Sequence, residues 1–313
     1  MPSSDSARRF FGLFTMLLAL AGCSSAPDAP EYEVAVKNQA TRYTEFGNSY
    51  FTQGDYPMAL QFFDLALQEN LSVDNLSGIA KSYNSIARVY SATGELEAAR
   101  NNLRLAMEHA VLAEDAEQEM QAYINRGEVA LRAGEEDAAL ADFQRAETLM
   151  SSEEGLENPI LMHNLGTLYA RQDQFTPATS LLQAARDINQ AEKNWRELAS
   201  NYFMLASVSS RQGQFERARN YAQAALENDK KAEYSPGIAA DLQALGRIAE
   251  RLGEDQEAYQ LYLRSLRVYL SINDGPGSLS VLTALEGVAG RSGRTEEAAE
   301  FAAERERIRE AIE

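Results

Sequence analysis

Cysteine is all but missing from this 313-residue chain, which has Cys23 alone. No disulfide can form within one molecule, and no thiol pair or cysteine-based metal site can be built. Histidine is nearly as scarce, with only His109 and His163, which argues against a metal centre of any ordinary ligand set. Proline is limited to 8 residues, which suits a chain made mostly of helix. Positive charge is also in deficit, with 29 Lys and Arg against 47 Asp and Glu and a net charge of -18. Such a surface repels nucleic acid and anionic lipid headgroups and draws in basic partners. Simple solubility is the other reading of the same charge. There is no Gly-rich loop ahead of Lys-Ser/Thr and no Gly-x-Ser-x-Gly elbow. Pairs of acids arise by chance at this acid content, so they single out no catalyst. No enzymatic activity, cofactor or metal is expected.

What the chain has is a period. Gly54, Gly94, Gly134, Asp173, Gly213, Gly253 and Gly293 recur at steps of 39 or 40 residues. A fixed period of this size marks a solenoid, whose units bury their apolar faces only against their neighbours. In the second copy Tyr83, Ile86, Ala87 and Tyr90 share one helical face ahead of Gly94, and Leu96, Ala99, Leu103 and Ala106 share another after it. Each unit therefore reads as a helical hairpin turning at a glycine. A small residue stands seven before the turn in six copies (Gly47, Ala87, Gly127, Gly166, Ala206, Gly246). Alanine stands five after it in all seven (Ala59, Ala99, Ala139, Ala178, Ala218, Ala258, Ala298). Phe63, Leu103, Phe143, Leu182 and Tyr262 follow four residues later. The last copy departs from the frame, with Glu286 at the small position and Arg305 at a later alanine position. A polar end of this kind suits the cap of an open stack.

This small-large-small frame resembles the tetratricopeptide repeat over about residues 40 to 306, with small residues at Gly166 and Ala178, an aromatic at Tyr169 and alanine at Ala185. The resemblance implies an all-α fold, an α-α superhelix of about seven hairpins over residues 35–313. The common repeat has 34 residues, and here the extra ones are expected between hairpins, as in Ser72-Val73-Asp74 and Asn228-Asp229-Lys230.

The N-terminus reads as an address. Arg8 and Arg9 precede an apolar stretch from Phe10 to Leu20, shorter than the ~20 residues needed to span a bilayer. Leu20-Ala21-Gly22-Cys23 resembles the bacterial lipobox, which implies a signal peptide over residues 1–22, cleavage before Cys23 and acylation of its thiol, palmitate included. More than one acyl chain is needed for a stable anchor. Residues 23–34 are expected to form a lipidated tether. Ser24 after the cysteine implies, by the same resemblance, the outer membrane with the chain facing the periplasm.

In tetratricopeptide proteins the first helix of each hairpin lines the concave groove. The corresponding positions lie thirteen, ten, nine, six and two before the turn residue. Among them are Lys81, Asn84, Arg88, Asn125, His163, Asn164, Arg171, Arg211, Arg247 and Arg251. Asparagine can engage a peptide amide at both donor and acceptor, and arginine can hold a carboxylate. The ladder Arg132, Arg171, Arg211, Arg251 and Arg291 has two readings: cations placed at helix C-termini, or a basic stripe facing inward toward an acidic segment. The resemblance implies a non-enzymatic adaptor for a protein or peptide segment of an envelope complex, of the pilus-secretin, outer-membrane-assembly or cell-wall type. The other reading is a ligand-binding accessory lipoprotein of a transporter, with a closed apolar pocket near Phe203 and Met204.

Overall fold

The residues that set the period all lie in the left-handed region of backbone space. The six glycines have φ between +72° and +85°, and Asp173, the non-glycine of the series, has φ 59°. A side chain is strained there, which is why glycine recurs. The turn closes by backbone hydrogen bonds back into the finished helix: Gly94 N–H donates to Ser91 O at 3.3 Å and Glu95 N–H to Tyr90 O at 2.8 Å.

The computed structural model describes residues 31–152 and 157–312. The signal peptide, Cys23 and the tether up to residue 30 lie outside the described residues. Among the described residues, fourteen helices form seven antiparallel hairpins. They pair as α1 (Glu31–Gln53) with α2 (Tyr56–Ser72), α3 (Leu76–Thr93) with α4 (Leu96–Leu112), α5 (Ala116–Arg132) with α6 (Glu136–Ser152) and α7 (Pro159–Arg171) with α8 (Phe175–Glu192). The remaining pairs are α9 (Trp195–Arg211) with α10 (Phe215–Lys231), α11 (Ser235–Leu252) with α12 (Asp255–Ser271), and α13 (Gly275–Arg291) with α14 (Thr295–Ile312). No strand occurs among the described residues. No described helix is long and apolar enough to cross a membrane. The first helix starts at Glu31, so residues 31–34, assigned to the tether by sequence, are helical.

Of the extra residues expected between hairpins, Val73 and Asp74 do lie in a join, but the others do not. Asn228, Asp229 and Lys230 belong to α10, and Trp195 opens α9. The joins are short and use a second left-handed series: Asp74, Glu114, Lys193, Glu233 and Asn273, with φ between 49° and 61°. Each lies 20 residues after a hairpin turn, so the chain reverses at half-period as well. The scarce prolines serve helix starts, opening α2, α7, α11 and α13, where an N–H needs no partner. Asp55, Asp115, Asn158 and Asp274 cap α2, α5, α7 and α13 through their side-chain oxygens.

Within each hairpin the small and large positions compensate. Gly47, Gly127 and Gly246 lie against the rings of Phe63, Phe143 and Tyr262. Gly166 lies against Leu182, while Ala87 clusters with Leu103 and Ala206 with Ala222. Where the facing side chain is an aromatic ring, no Cβ is present on the other helix. The alanines five after the turn are fully buried in the first six hairpins. The core runs on across joins, as when Phe143 and Ala146 of α6 join Leu161, Leu165 and Leu168 of α7 in one cluster. In the last hairpin the two departures from the frame satisfy each other, because Arg305 Nη1 donates to Glu286 Oε2. None of the side chains of α14 is fully buried.

Successive first helices also touch: α1 with α3, α3 with α5, α7 with α9 and α9 with α11. Second helices share no comparable contact among the described residues. The stack therefore curves with first helices inside.

Candidate functional site

Two of the hollows on the inner face carry positions named from the sequence. The first, about 420 Å³, is lined by Asn48 and Phe51 of α1, by a row of α3 that includes Lys81, Asn84 and Arg88, by α5 from Glu117 to Arg132, and by Ile160. Its floor is a chain of amides. Asn84 Nδ2 donates to the Gln118 carbonyl at 3.1 Å, its Oδ1 accepts from Asn125 Nδ2 at 3.4 Å, and Asn125 Oδ1 accepts from Gln121 Nε2 at 2.9 Å. Asn84 and Asn125 are thereby buried and fixed in orientation across the join between two hairpins. The cations here have anionic company. Arg88, stacked 4.7 Å above the Phe51 ring, lies in the field of Glu128. Loss of hydration pushes the Glu128 carboxyl up, while Asn164, Arg88 and Arg132 act in the opposite sense.

The second hollow, about 580 Å³, lies between α9, α11 and α13. Phe203, Ala206, Ala244 and Ile248 give it an apolar floor, and Arg211, Arg247, Arg251 and Arg291 stand around it. This is not the closed apolar pocket of the transporter-accessory reading. Sequence reasoning had no signal for Ala244 and Ile248, which look like ordinary core positions.

The ten positions named from sequence fall into three sets. Lys81, Asn84, Arg88 and Asn125 line the first hollow, and Arg211, Arg247 and Arg251 line the second. His163, Asn164 and Arg171, all on α7, instead bridge to neighbouring hairpins. Asn164 Nδ2 donates to Glu128 Oε1 at 3.0 Å, and Arg171 Nη1 to Glu136 Oε1 at 2.7 Å. His163 Nδ1 lies 3.0 Å from Asn201 Nδ2. An amide donor there suits a neutral imidazole, and burial pulls the His163 pKa down to about 4.

The arginine ladder works mainly as a set of staples. Arg211 Nη2 reaches Asp173 Oδ1 at 2.6 Å and its Nη1 the Ala170 carbonyl, and Arg291 reaches Glu250 and Asp255. These partners all belong to the preceding hairpin or the turn that closes it. Exposed ion pairs of this type add little individually, about 0–1 kcal/mol, but they fix register along the stack.

One cluster escaped sequence reasoning altogether. At two joins a buried amide from the second helix meets a polar group on the next first helix: Asn70 with Ser82 at 3.2 Å and Asn189 with Asn201 at 2.8 Å. At the join of α10 and α11 the same two places hold Asp229 and Asp241, which are 5% and 1% exposed. Burial drives both carboxyls above the usual aspartate range, Asp241 further because Asp229 faces it, while Asp241 and Arg196 restrain Asp229. The pair therefore retains a proton under conditions where ordinary aspartates have none. Gly237 leaves room for the Asp229 carboxylate, which a Cβ there would overlap.

Comparison with known proteins gives the family. No curated protein matches. The structure of the apo form of the quorum sensor NprR from B. thuringiensis aligns with a TM-score of 0.70 at 17% identity, over 89% of this chain and 77% of that one. Apo RapI aligns at 0.68 and 17% identity over 86% and 76%, and NprR in complex with its cognate peptide NprX at 0.64 and 18% over 89% and 79%. At such identities the likeness is one of fold. Tetratricopeptide repeat profiles match residues 38–110, 78–152, 157–231 and 242–275, following the hairpins from the first to the sixth, and the chain belongs to the tetratricopeptide repeat family.

Proposed function

We propose that this protein is a lipid-anchored adaptor whose inner groove captures a polypeptide segment of an envelope complex. The observation that carries the reading is the inner face itself. Two hollows of peptide-side-chain size lie along one row of first helices, one with an ordered amide floor and the other with an apolar floor and arginine rim. Oriented amides suit a peptide backbone, and a preorganised groove lowers the entropic cost of holding an extended segment. NprR, similar in fold, is described in complex with a peptide. The lipobox-like leader supports a periplasm-facing anchor at the outer membrane, where tethering raises the local concentration of partners. Pilus-secretin, outer-membrane-assembly and cell-wall complexes are the settings proposed.

Two experiments test it. A photoreactive residue placed at Ala92 or Ser207, one in each hollow, is expected to trap the same partner in cells, whereas one at the exposed Gln144 on a second helix does not. Trapping from Gln144 alone would place the interface on the outer face and end the groove reading. Cys23→Ala is expected to abolish acyl labelling and move the chain from the membrane fraction to the soluble one. Retention in the membrane fraction without label would refute the anchor.

A further inference from the structure

The two ends of the stack differ in what they leave uncovered. At the last hairpin α14 is laced with ion pairs, Arg307 with Glu304 and Arg309 with Glu306. At the first, α1 carries Tyr32, Gln39, Tyr43, Phe46 and Tyr50 at steps of seven, four, three and four, a single uncharged stripe. Counted from the turn, Tyr43, Phe46 and Tyr50 occupy the places of Tyr83, Ile86 and Tyr90 in the second hairpin. There Ile86 is 3% exposed and clusters with Phe63 of α2. Among the described residues no hairpin precedes α1, and Tyr32 is left 69% exposed and Phe46 52%. Phe62 of α2 widens the patch. Its ring lies 5.4 Å from those of Phe46 and Tyr50, nearly parallel to the latter, and 6.2 Å from that of Tyr43. Glu33 and Lys37, off the stripe, pair with each other at 2.6 Å, and the exposed Arg42 stands one turn before Phe46.

We infer that this aromatic end of the first hairpin rests in the interfacial layer of the membrane that holds the lipid anchor. The inference builds on the anchor reading and adds to it a second point of membrane contact and an orientation. Chain length names the occupant. Cys23 stands eight residues before Glu31, so the start of α1 lies within ~28 Å of the acylated residue even at a full extension of ~3.5 Å per residue. The stripe is therefore the first part of the array that the tether brings to the bilayer. Tyrosine suits that layer because its ring is apolar and its hydroxyl stays wet. Arg42, beside Phe46, suits a headgroup phosphate. A lipid anchor holds more firmly when a second membrane signal accompanies it. The net charge of -18 opposes a second copy over the stripe and disfavours anionic headgroups, so the fitting surface is zwitterionic. With the first hairpin at the membrane, the amide-floored hollow lies nearer to it and the arginine-rimmed hollow farther away.

The test uses the acylated full-length chain in phosphatidylcholine vesicles, with and without brominated acyl chains, and reads tryptophan emission. Trp195, the single native tryptophan, lies on α9. The variant F46W/W195F moves the reporter to the stripe and keeps an aromatic ring there. Its emission is expected to fall at least about twofold in brominated vesicles, as burial at the headgroup–acyl boundary requires. Emission of the parent, from Trp195, should not change. Adding Tyr32→Glu and Gln39→Glu should remove most of the quenching while the acyl label and membrane retention persist. A labelled, membrane-bound F46W/W195F chain that is not quenched overturns the inference and leaves the anchor standing. Absence of acyl label on Cys23 overturns both. Equal quenching of the parent means that the array lies along the membrane instead of meeting it by one end, and overturns the orientation. Disulfide-linked dimers of a Phe46→Cys chain, whose Cys23 thiol is blocked by lipid, would put a second copy in place of the bilayer. Helical circular dichroism matching the parent separates lost contact from lost fold.

Discussion

Asp241→Asn stabilises the protein, and the gain grows with pH. Asp241 and Asp229 are both raised above the usual aspartate range, mainly by burial, so the folded chain holds more protons here than the unfolded chain above about pH 4. Stability from this pair is greatest in acid and is lost as pH rises through the folded values. Asparagine at 241 cannot ionise and can donate to Asp229, much as Asn189 donates to Asn201 one join earlier. Relief of a buried, poorly satisfied carboxyl is worth about 1–3 kcal/mol. The expected result is nearly equal melting temperatures for variant and parent at pH 4.5 and a difference of several degrees at pH 8.5. The charged groups that surround the pair, Arg196 beside Asp229 and Tyr269 beside Asp241, stay unchanged in both proteins. A parallel pH dependence for the two proteins would show that the pair does not share a proton across this join.

Gly246→Ala works in the opposite direction. In an exposed helix this change gains about 1 kcal/mol. Here the new Cβ would sit 2.6 Å from Tyr262 Cε1 and 2.7 Å from Cδ1, so α11 and α12 must separate or the ring must leave its place. Overpacking of this order costs about 1–3 kcal/mol. The Tyr262 hydroxyl also donates to Glu250, so a displaced ring forfeits that bond. Paired with Tyr262→Leu, the same glycine change should become far less harmful, because Ala87 with Leu103 already shows that pairing in the second hairpin. The check is a double-mutant cycle by denaturant unfolding. Additive losses would mean that these two positions do not set the spacing of the hairpin.

The architecture was legible because its governing residues recur at a visible interval. A left-handed turn demands glycine, and a close helix crossing demands a small residue. These constraints surface in the sequence as Gly94 or Gly127 wherever the chain repeats. The joins were not legible for the same reason inverted. Their left-handed residues are Asp74, Glu114, Lys193, Glu233 and Asn273, of which no two adjacent members are alike. With no shared residue type to mark them, the surplus of the long repeat reads as loop, whereas Asn228, Asp229 and Lys230 lengthen a helix and only Val73 and Asp74 lie in a join. The groove was legible in register but not in content. Helical spacing puts His163, Asn164 and Arg171 in the same frame as Lys81 and Asn84, yet the three bridge to neighbouring hairpins, a matter of which partner stands one hairpin away. The Asp229–Asp241 pair lay hidden because its members are twelve residues apart on different helices, among many other acids. Only the parallel with Asn189 and Asn201, once both are placed, sets it apart.

The bare last helix has a consequence for how the array fails. With no side chain of α14 sealed from water, the least free energy of opening lies at that end, and fraying begins there. Each hairpin that loosens strips the cover from the one before it. Amide exchange should therefore quicken toward α14, and the arginine-rimmed hollow should loosen before the amide-floored one. The arginine-rimmed hollow thus sits on the more perishable half of the molecule.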